Sequence, residues 1–432
     1  LETYGTISLA EAIAPAIDFA EAGFPVTWHT TLKIAQDLAL LTQDPVTRAV
    51  FTNNGVPWRT LDESAPTMLR QPDLAATLRT IADQGPRAFY EGELAARIAD
   101  GLSAAGNPIT TADLSGYTAV IEDALTVPYG DAIVHTPGNG TGGTTLAESL
   151  LLLNGIDLRS MEYGGADYLH HLSEAFKIAF ADRFAYLADP TRMEVPLERL
   201  LSAAYLDSRR GEIDAALATP ARAGVRAALA VAHKLDASVP DYTSDGSTTH
   251  HSVIDRNGMA VSTTQTLLSL WGSGVTIPGT GILMNNGMMW FDPQAGRPNS
   301  VDGNKRPLSN MAPSIVTREN MALATLGASG GRRIMNCVAQ LALNVIDQNM
   351  SMQDATSAPR IDRSTPFLFA SRRFNNDALH DLERRGHKVV VKDERQLLGD
   401  FSSPASIRRD LDGTLSGGVD PYYFPATAIG VD

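Results

Sequence analysis

The sequence predicts an α+β fold: a helix-covered, mainly antiparallel sheet or pair of sheets, with the residues before Asp236 mostly helical. Two observations carry this. Apolar residues recur at helical spacing through residues 8–105, and beyond residue 247 the texture changes to short half-buried runs around Asn, Asp or Gly, the pattern of hairpins. A hydrophobic content of 44% over 432 residues supplies a core for one large domain or two smaller ones.

In chain order, SLAEAIAPAIDFAEAG reads as an amphipathic helix stopped by Gly23, and DLAATLRTIADQG and GELAARIADGLSAAG repeat the pattern. Thr110 and Thr111 are N-cap candidates for a short turn, and residues 117–135, broken at Pro128-Tyr129-Gly130, read as two short strands. The Gly-rich run TPGNGTGGTT feeds an apolar helix, and a long helix spans roughly residues 168–187. Residues 192–247 end in DASVPDYTSDGS, which has neither helical nor strand period, and read as a mobile surface connection. Three hairpins follow, THHSVIDRNGMAVSTTQT, SIVTRENMALATL and ASIRRDLDGTLSGGV, with the helix RRIMNCVAQLALNVIDQN among them.

Composition removes several function classes. The formal charge of −14 opposes attraction to nucleic acid or anionic lipid, so neither nucleic acid nor a membrane is expected as a partner. Cys337 is the single cysteine, which excludes an internal disulfide, a CxxC pair and a thiolate zinc site. There is no apolar run of membrane-spanning length, and the opening at Leu1 fits a processed or trimmed product. The pairs His170-His171 and His250-His251 diverge on regular elements and HExxH is absent, so no metal and no cofactor are expected. TPGNGTGGTT lacks the Gly-Lys-Ser/Thr of a phosphate loop and reads as a turn near the site, while Asp182-Arg183 reads as a structural pair.

The first hairpin carries the chemistry. Asp255-Arg256-Asn257-Gly258 fits a type I turn with Gly258 in the left-handed position of a bulge, which pairs Asp255 with Met259. In that register Ser252 faces Ser262, His250 faces Thr264, and Thr248 faces Thr266. A two-residue Asn-Gly turn would set Thr248 opposite Leu267 instead. Threonine is common in strands. If the chain is cut between Ser247 and Thr248, however, Thr248 gains an α-amine of pKa about 7.7 to 8.0, which can take the proton of its own hydroxyl. One residue then supplies nucleophile and base, with its oxygen held by restricted χ1. His250 reads as a structural hydrogen-bonding partner on the same strand.

The segments STTHHSVIDRNGMAVSTTQT, GSGVTIPGTGILMNN, GNKRPLSNMAPSIV and GASGGRRI resemble, in order and spacing, the small subunit of γ-glutamyltransferases. ITTADLSGY, the Gly-rich run and SEAFKIAFADRFAYLADP look like the end of that family's large subunit. The resemblance implies an N-terminal nucleophile hydrolase with an αββα sandwich. Residues 1–247 would be a large-subunit-like portion, N-terminally incomplete relative to the family, and residues 248–432 a small-subunit-like portion, the two forming one domain. Self-cleavage before Thr248 would leave the cleaved subunits as each other's partner in a heterodimer acting on a small-molecule substrate. By resemblance, Thr266 supports the nucleophile and the backbone N–H groups of Gly330 and Gly331 form the oxyanion hole. The resemblance implies that the family's arginine that grips the substrate carboxylate belongs to an N-terminal portion this sequence is expected to lack.

The substrate pocket departs from the family. Asn-Asn-Gln-Met-Asp-Asp-Phe, whose Gln and second Asp hold the substrate's amino group, becomes Asn285-Asn286-Gly287-Met288-Met289-Trp290-Phe291. Leu268 stands where an asparagine holds the carboxylate, and in Pro-Leu-Ser-Ser the residue Ser309 is kept while Asn310 replaces the second serine. An ammonium group in a closed pocket needs an anionic partner, so Trp290, Met288, Met289 and Leu268 point to an apolar or aromatic substrate. Relatives that have left glutamyl chemistry hydrolyse β-lactam side chains, or a carbon-carbon bond in alkylproline antibiotic pathways, and both remain open. So does a serine hydrolase using Ser329 in Gly327-Ala328-Ser329-Gly330-Gly331, with Asp347, Asp377, His380 or His387 as partners. A catalytically silent binding homologue is the third reading.

Overall fold

The computed structural model describes residues 1, 3–224, 246–394, 401–424 and 426–431, with Gly246 and Ser247 described as backbone. The chain forms two compact units, Leu1–Ile121 with Ser269–Asn286, and Glu122–Leu268 with Gly287–Asp432. This division does not follow the expected boundary at Ser247–Thr248, which concerns where the chain would be cut. Among the described residues no helix is long and apolar enough to cross a membrane.

The first unit is built from short helices, as the periodicity predicts. Its first helix, Leu9–Ala22, is capped by Ser8 and Glu11 in a reciprocal box and ends at Gly23, whose φ of +87° suits glycine. Val26, Ile34, Leu41, Phe51 and Leu69 form one cluster, and Leu94, Ile98 and Leu102 pack with Ile277 in another. Gly101 permits that second contact, because a β-carbon there would stand 2.7 Å from Ile277 Cγ2.

The second unit contains a seven-stranded sheet. From one edge its strands run Ala328–Ser329, Ser403–Arg409, Met321–Leu326, Ser314–Arg318, Ala132–Thr136 and Leu125–Tyr129, with Leu415–Val419 also paired to Ser403–Arg409. Every pairing in it is antiparallel. Helices Gly142–Leu153, Ala166–Tyr186 and Arg333–Ile346 share one hydrophobic core with sheet residues such as Val134, Val316, Ala324 and Leu326. Thr325 alternates to the other side, where the hairpin of Gly246–Ile254 and Ala260–Ser269 lies against the sheet. Ser252 Oγ donates toward the carbonyls of Ala405 (3.1 Å) and Thr325 (3.4 Å), and Ser262 Oγ to that of Leu326 (3.0 Å). The layers are thus helices, sheet and hairpin. A separate three-stranded sheet contains a parallel pair, Leu368–Ser371 with Val389–Lys392.

Three expectations change. The first of the two strands expected in residues 117–135 begins only at Leu125. The connection at residues 192–247 holds helices Leu197–Leu200 and Ala203–Arg210, and its residues 225–245 lie outside the described ones. Asp182 and Arg183 are not a pair: Asp182 accepts from the Tyr205 hydroxyl (2.5 Å) and from Gly224 N (3.0 Å) and lies 3.6 Å from Arg209 Nε, while Arg183 bonds elsewhere. Adjacent residues on a helix point about 100° apart, so each finds its own partner.

Candidate active site

The turn of the hairpin is the bulged one. Gly258 N donates to Asp255 O (3.0 Å), Asp255 N to Met259 O (3.0 Å), and Gly258 has φ +88°. The Asp255 carboxylate accepts from Asn257 N (2.9 Å) and Met259 N (2.8 Å), local bonds that favour this turn over the two-residue alternative. Further along, His250 Nδ1 stands 2.8 Å from Thr264 Oγ1, in the register that starts at Asp255 and Met259. Carried two residues on without a further bulge, that register would set Thr248 opposite Thr266. Thr248 is half-buried within the strand Gly246–Ile254. Thr266 Oγ1 accepts from Leu268 N (2.8 Å), which orients the oxygen and leaves its proton to donate. Leu268 has φ +78°, a conformation disfavoured for leucine.

His250 is 9% exposed and bonded at both ring nitrogens, Nδ1 to Thr264 and Nε2 to Ser252 Oγ at 3.0 Å. Ser252 gives its one proton to carbonyls, so Nε2–H donates to Ser252 and Nδ1 accepts from Thr264. Burial, and next the charge of His251, hold the imidazolium pKa down at about 4, so the ring is neutral at pH 7. Its role is structural, joining the hairpin to the sheet.

Strand Ala328–Ser329 leads into Gly330 (φ +135°) and Gly331 (φ +63°), and helix Arg333–Ile346 begins two residues later. Both glycine conformations are ones that side chains oppose, and the helix start adds positive potential near their N–H groups.

The Gly-rich turn does reach the predicted substrate residues. Ser309 N donates to Gly140 O (2.7 Å), Gly142 N to Met311 O (3.0 Å), and a β-carbon on Gly142 would stand 2.5 Å from Asn310 O. Buried Arg183 ties the parts together. Its Nη1 donates to Thr141 O (3.1 Å), and its Nη2 to Ser309 O (2.8 Å) and Asn310 Oδ1 (3.1 Å). Burial, and next the charge of Arg332, lower its pKa to about 9, still protonated at pH 7. The sequence places Arg183 in a pair with its neighbour Asp182 and gives no sign of these partners, which lie 42 positions away at Thr141 and 126 and 127 away at Ser309 and Asn310.

Gly287 and Trp290 bound a separate 3-10 turn. Met288 is 63% and Met289 42% exposed, and Trp290 is half-buried with its carbonyl accepting from Asn299 Nδ2 (2.7 Å). Trp290 belongs to none of the hydrophobic clusters of the described residues.

Two of the four candidate serine-hydrolase partners are committed elsewhere, Asp347 to Tyr129 and Arg159, and His387 to His170 and Ser173. His170, Glu174 and His387 bring potential metal-ligand atoms within 4.8 Å of one another, a grouping the adjacent-pair argument overlooked. Those atoms already bond within the protein. His170 Nε2 donates to Asp214 O (2.7 Å), so its Nδ1 accepts from His387 Nε2 (2.8 Å), and Glu174 is bound by Lys177 and Thr219.

Residues 1–423 match the family described as gamma-glutamyltranspeptidase. The acylase ACY 1 proenzyme of a Pseudomonas species is 36% identical over 419 residues, 96% of this chain and 70% of that protein. The glutathione hydrolase proenzyme of Escherichia coli is 34% identical over 439 residues, 98% of this chain and 71% of that protein. Among solved structures, cephalosporin acylase from Bacillus halodurans superposes with a TM-score of 0.84 at 28% identity, over 98% of this chain and 74% of that one.

Proposed function

Because the chain belongs to the γ-glutamyltranspeptidase family and has the α+β fold of an N-terminal nucleophile hydrolase, we propose that it is a self-cleaving acylase whose nucleophile is the Thr248 hydroxyl. The observation that carries this reading is the hairpin register, fixed by the Asp255–Met259 and His250–Thr264 contacts. Continued to Thr248, that register supports Thr266 as a second hydroxyl opposite the nucleophile.

Cleavage of the Ser247–Thr248 bond leaves two fragments that stay together as a heterodimer. The new α-amine takes the proton of Thr248 Oγ1, and the oxygen attacks the acyl carbonyl. The tetrahedral oxyanion is held by the N–H groups of Gly330 and Gly331, each donor being typically worth about 2.7 to 4 kcal/mol. The protonated amine then gives its proton to the departing nitrogen. Water, deprotonated by the same amine, hydrolyses the acyl ester and restores Thr248.

The acyl group is apolar or aromatic. Leu268 and Trp290 offer no charge for an amino acid's ammonium and carboxylate groups, and Trp290 is not consumed by the core. The relatives named acylase support an amide substrate outside glutathione chemistry. The test is turnover of an aromatic acyl amide against a γ-glutamyl anilide. Preference for the aromatic amide by about tenfold or more is expected from one pocket-sized apolar difference, and preference for the anilide would overturn the substrate assignment.

A further inference from the structure

The pairing of Ala328 with Pro404 and of Ser329 with Ser403 brings Ser402 alongside Gly330 at the next position. The contact is close: Ser402 Oγ lies 2.5 Å, and its Cα 2.7 Å, from the point that a β-carbon on Gly330 would occupy. Ser402 is 3% exposed, has φ +66°, and its buried hydroxyl has no hydrogen-bond partner among the described residues.

Two costs therefore meet at one residue. A non-glycine side chain sits in the left-handed region, and a polar group is buried unpaired. Packing explains neither, since glycine would remove both and alanine would remove the second. Buried hydroxyls in native proteins are nearly always satisfied, and an exception beside a reactive centre is what a donor held ready for later charge looks like. Here the neighbour is the first glycine of the oxyanion site.

We propose that Ser402 is a further catalytic residue, whose hydroxyl donates a hydrogen bond to the substrate's acyl oxygen as it becomes anionic, beside the N–H groups of Gly330 and Gly331. This rests on the reading of those glycines as the oxyanion hole. The proton stays on Ser402 throughout, and no bond of the serine breaks. A hydroxyl turns about a single bond, and among the described residues it has no competing acceptor. Because the interaction strengthens only as charge develops, it acts on kcat more than on KM.

The test compares Ser402→Ala and Ser402→Gly with the parent enzyme on the aromatic acyl amide, with kcat counted per chain whose first residue is Thr248. Ser402→Ala should lower kcat on the order of 10²-fold with KM changed less than about twofold, and its Tm should hold or rise, because the deleted hydroxyl had no partner. Ser402→Gly should lose the same kcat while its Tm rises further. Unchanged kcat in Ser402→Ala, or a loss of kcat that tracks a loss of Tm, overturns the proposal. Thr248→Ala run in parallel separates the levels. If it is inactive while Ser402→Ala is fully active, only the role of Ser402 falls; if both are fully active, the nucleophile reading falls with it.

Discussion

The His250 imidazole occupies the space that a side chain on Gly327 would need, its Cε1 lying 2.0 Å from the position of a β-carbon there. The ring cannot withdraw, being buried and bonded at both nitrogens. Gly327 is therefore glycine for the sake of the hairpin, not for a nucleophile elbow. Gly327→Ala should cost about 1 to 3 kcal/mol by overpacking, and because it pushes on the strand that carries Thr248, it should also slow self-cleavage. Thermal unfolding and a time course of fragment appearance measure the two effects.

The same histidine makes stability depend on pH with a definite sign. Its pKa is about 4 in the folded chain against 6.5 unfolded, so between these values the unfolded state binds more protons. Stability is full above pH 6.5 and falls as pH drops toward 4, by about 3 kcal/mol at the limit from this group. The buried His387, with a pKa held to about 3, adds loss in the same direction. Urea unfolding at pH 7.5 and at pH 5 should show this decline, and His250→Gln should flatten part of it.

Leu268 pays for its place in the turn after Thr266 with φ +78°. Asparagine tolerates that region, and it is the residue that the family uses there for the substrate carboxylate. Leu268→Asn should raise stability by about 1 kcal/mol through relief of backbone strain and shift turnover toward the γ-glutamyl anilide. Leu268→Gly relieves the strain without supplying an amide, so a similar shift in Leu268→Gly would refute a recognition role for the asparagine.

What could be read from the sequence follows the range of the interactions involved. The turn at Asp255, the cap at Thr110 and the stop at Gly23 depend on neighbours within a few positions, and all three are present. The antiparallel hairpins follow from the same local chemistry. The contact of Arg183 with Ser309 and Asn310, the fit of His250 against Gly327 and the bond from His170 to His387 depend on tertiary packing. No local periodicity encodes those. The contact of His250 with Thr264 lies between the extremes: it is distant in sequence, yet a single tight turn transmits it.

The central claim is tested most directly by reading the first residues of every fragment in a purified, active preparation, alongside a Thr248→Ala variant. The account predicts a fragment beginning Thr248-Thr249-His250 in the parent, and an uncut, inactive chain in the variant. Full activity in a preparation with no cleavage before Thr248, or in Thr248→Ala, would contradict it.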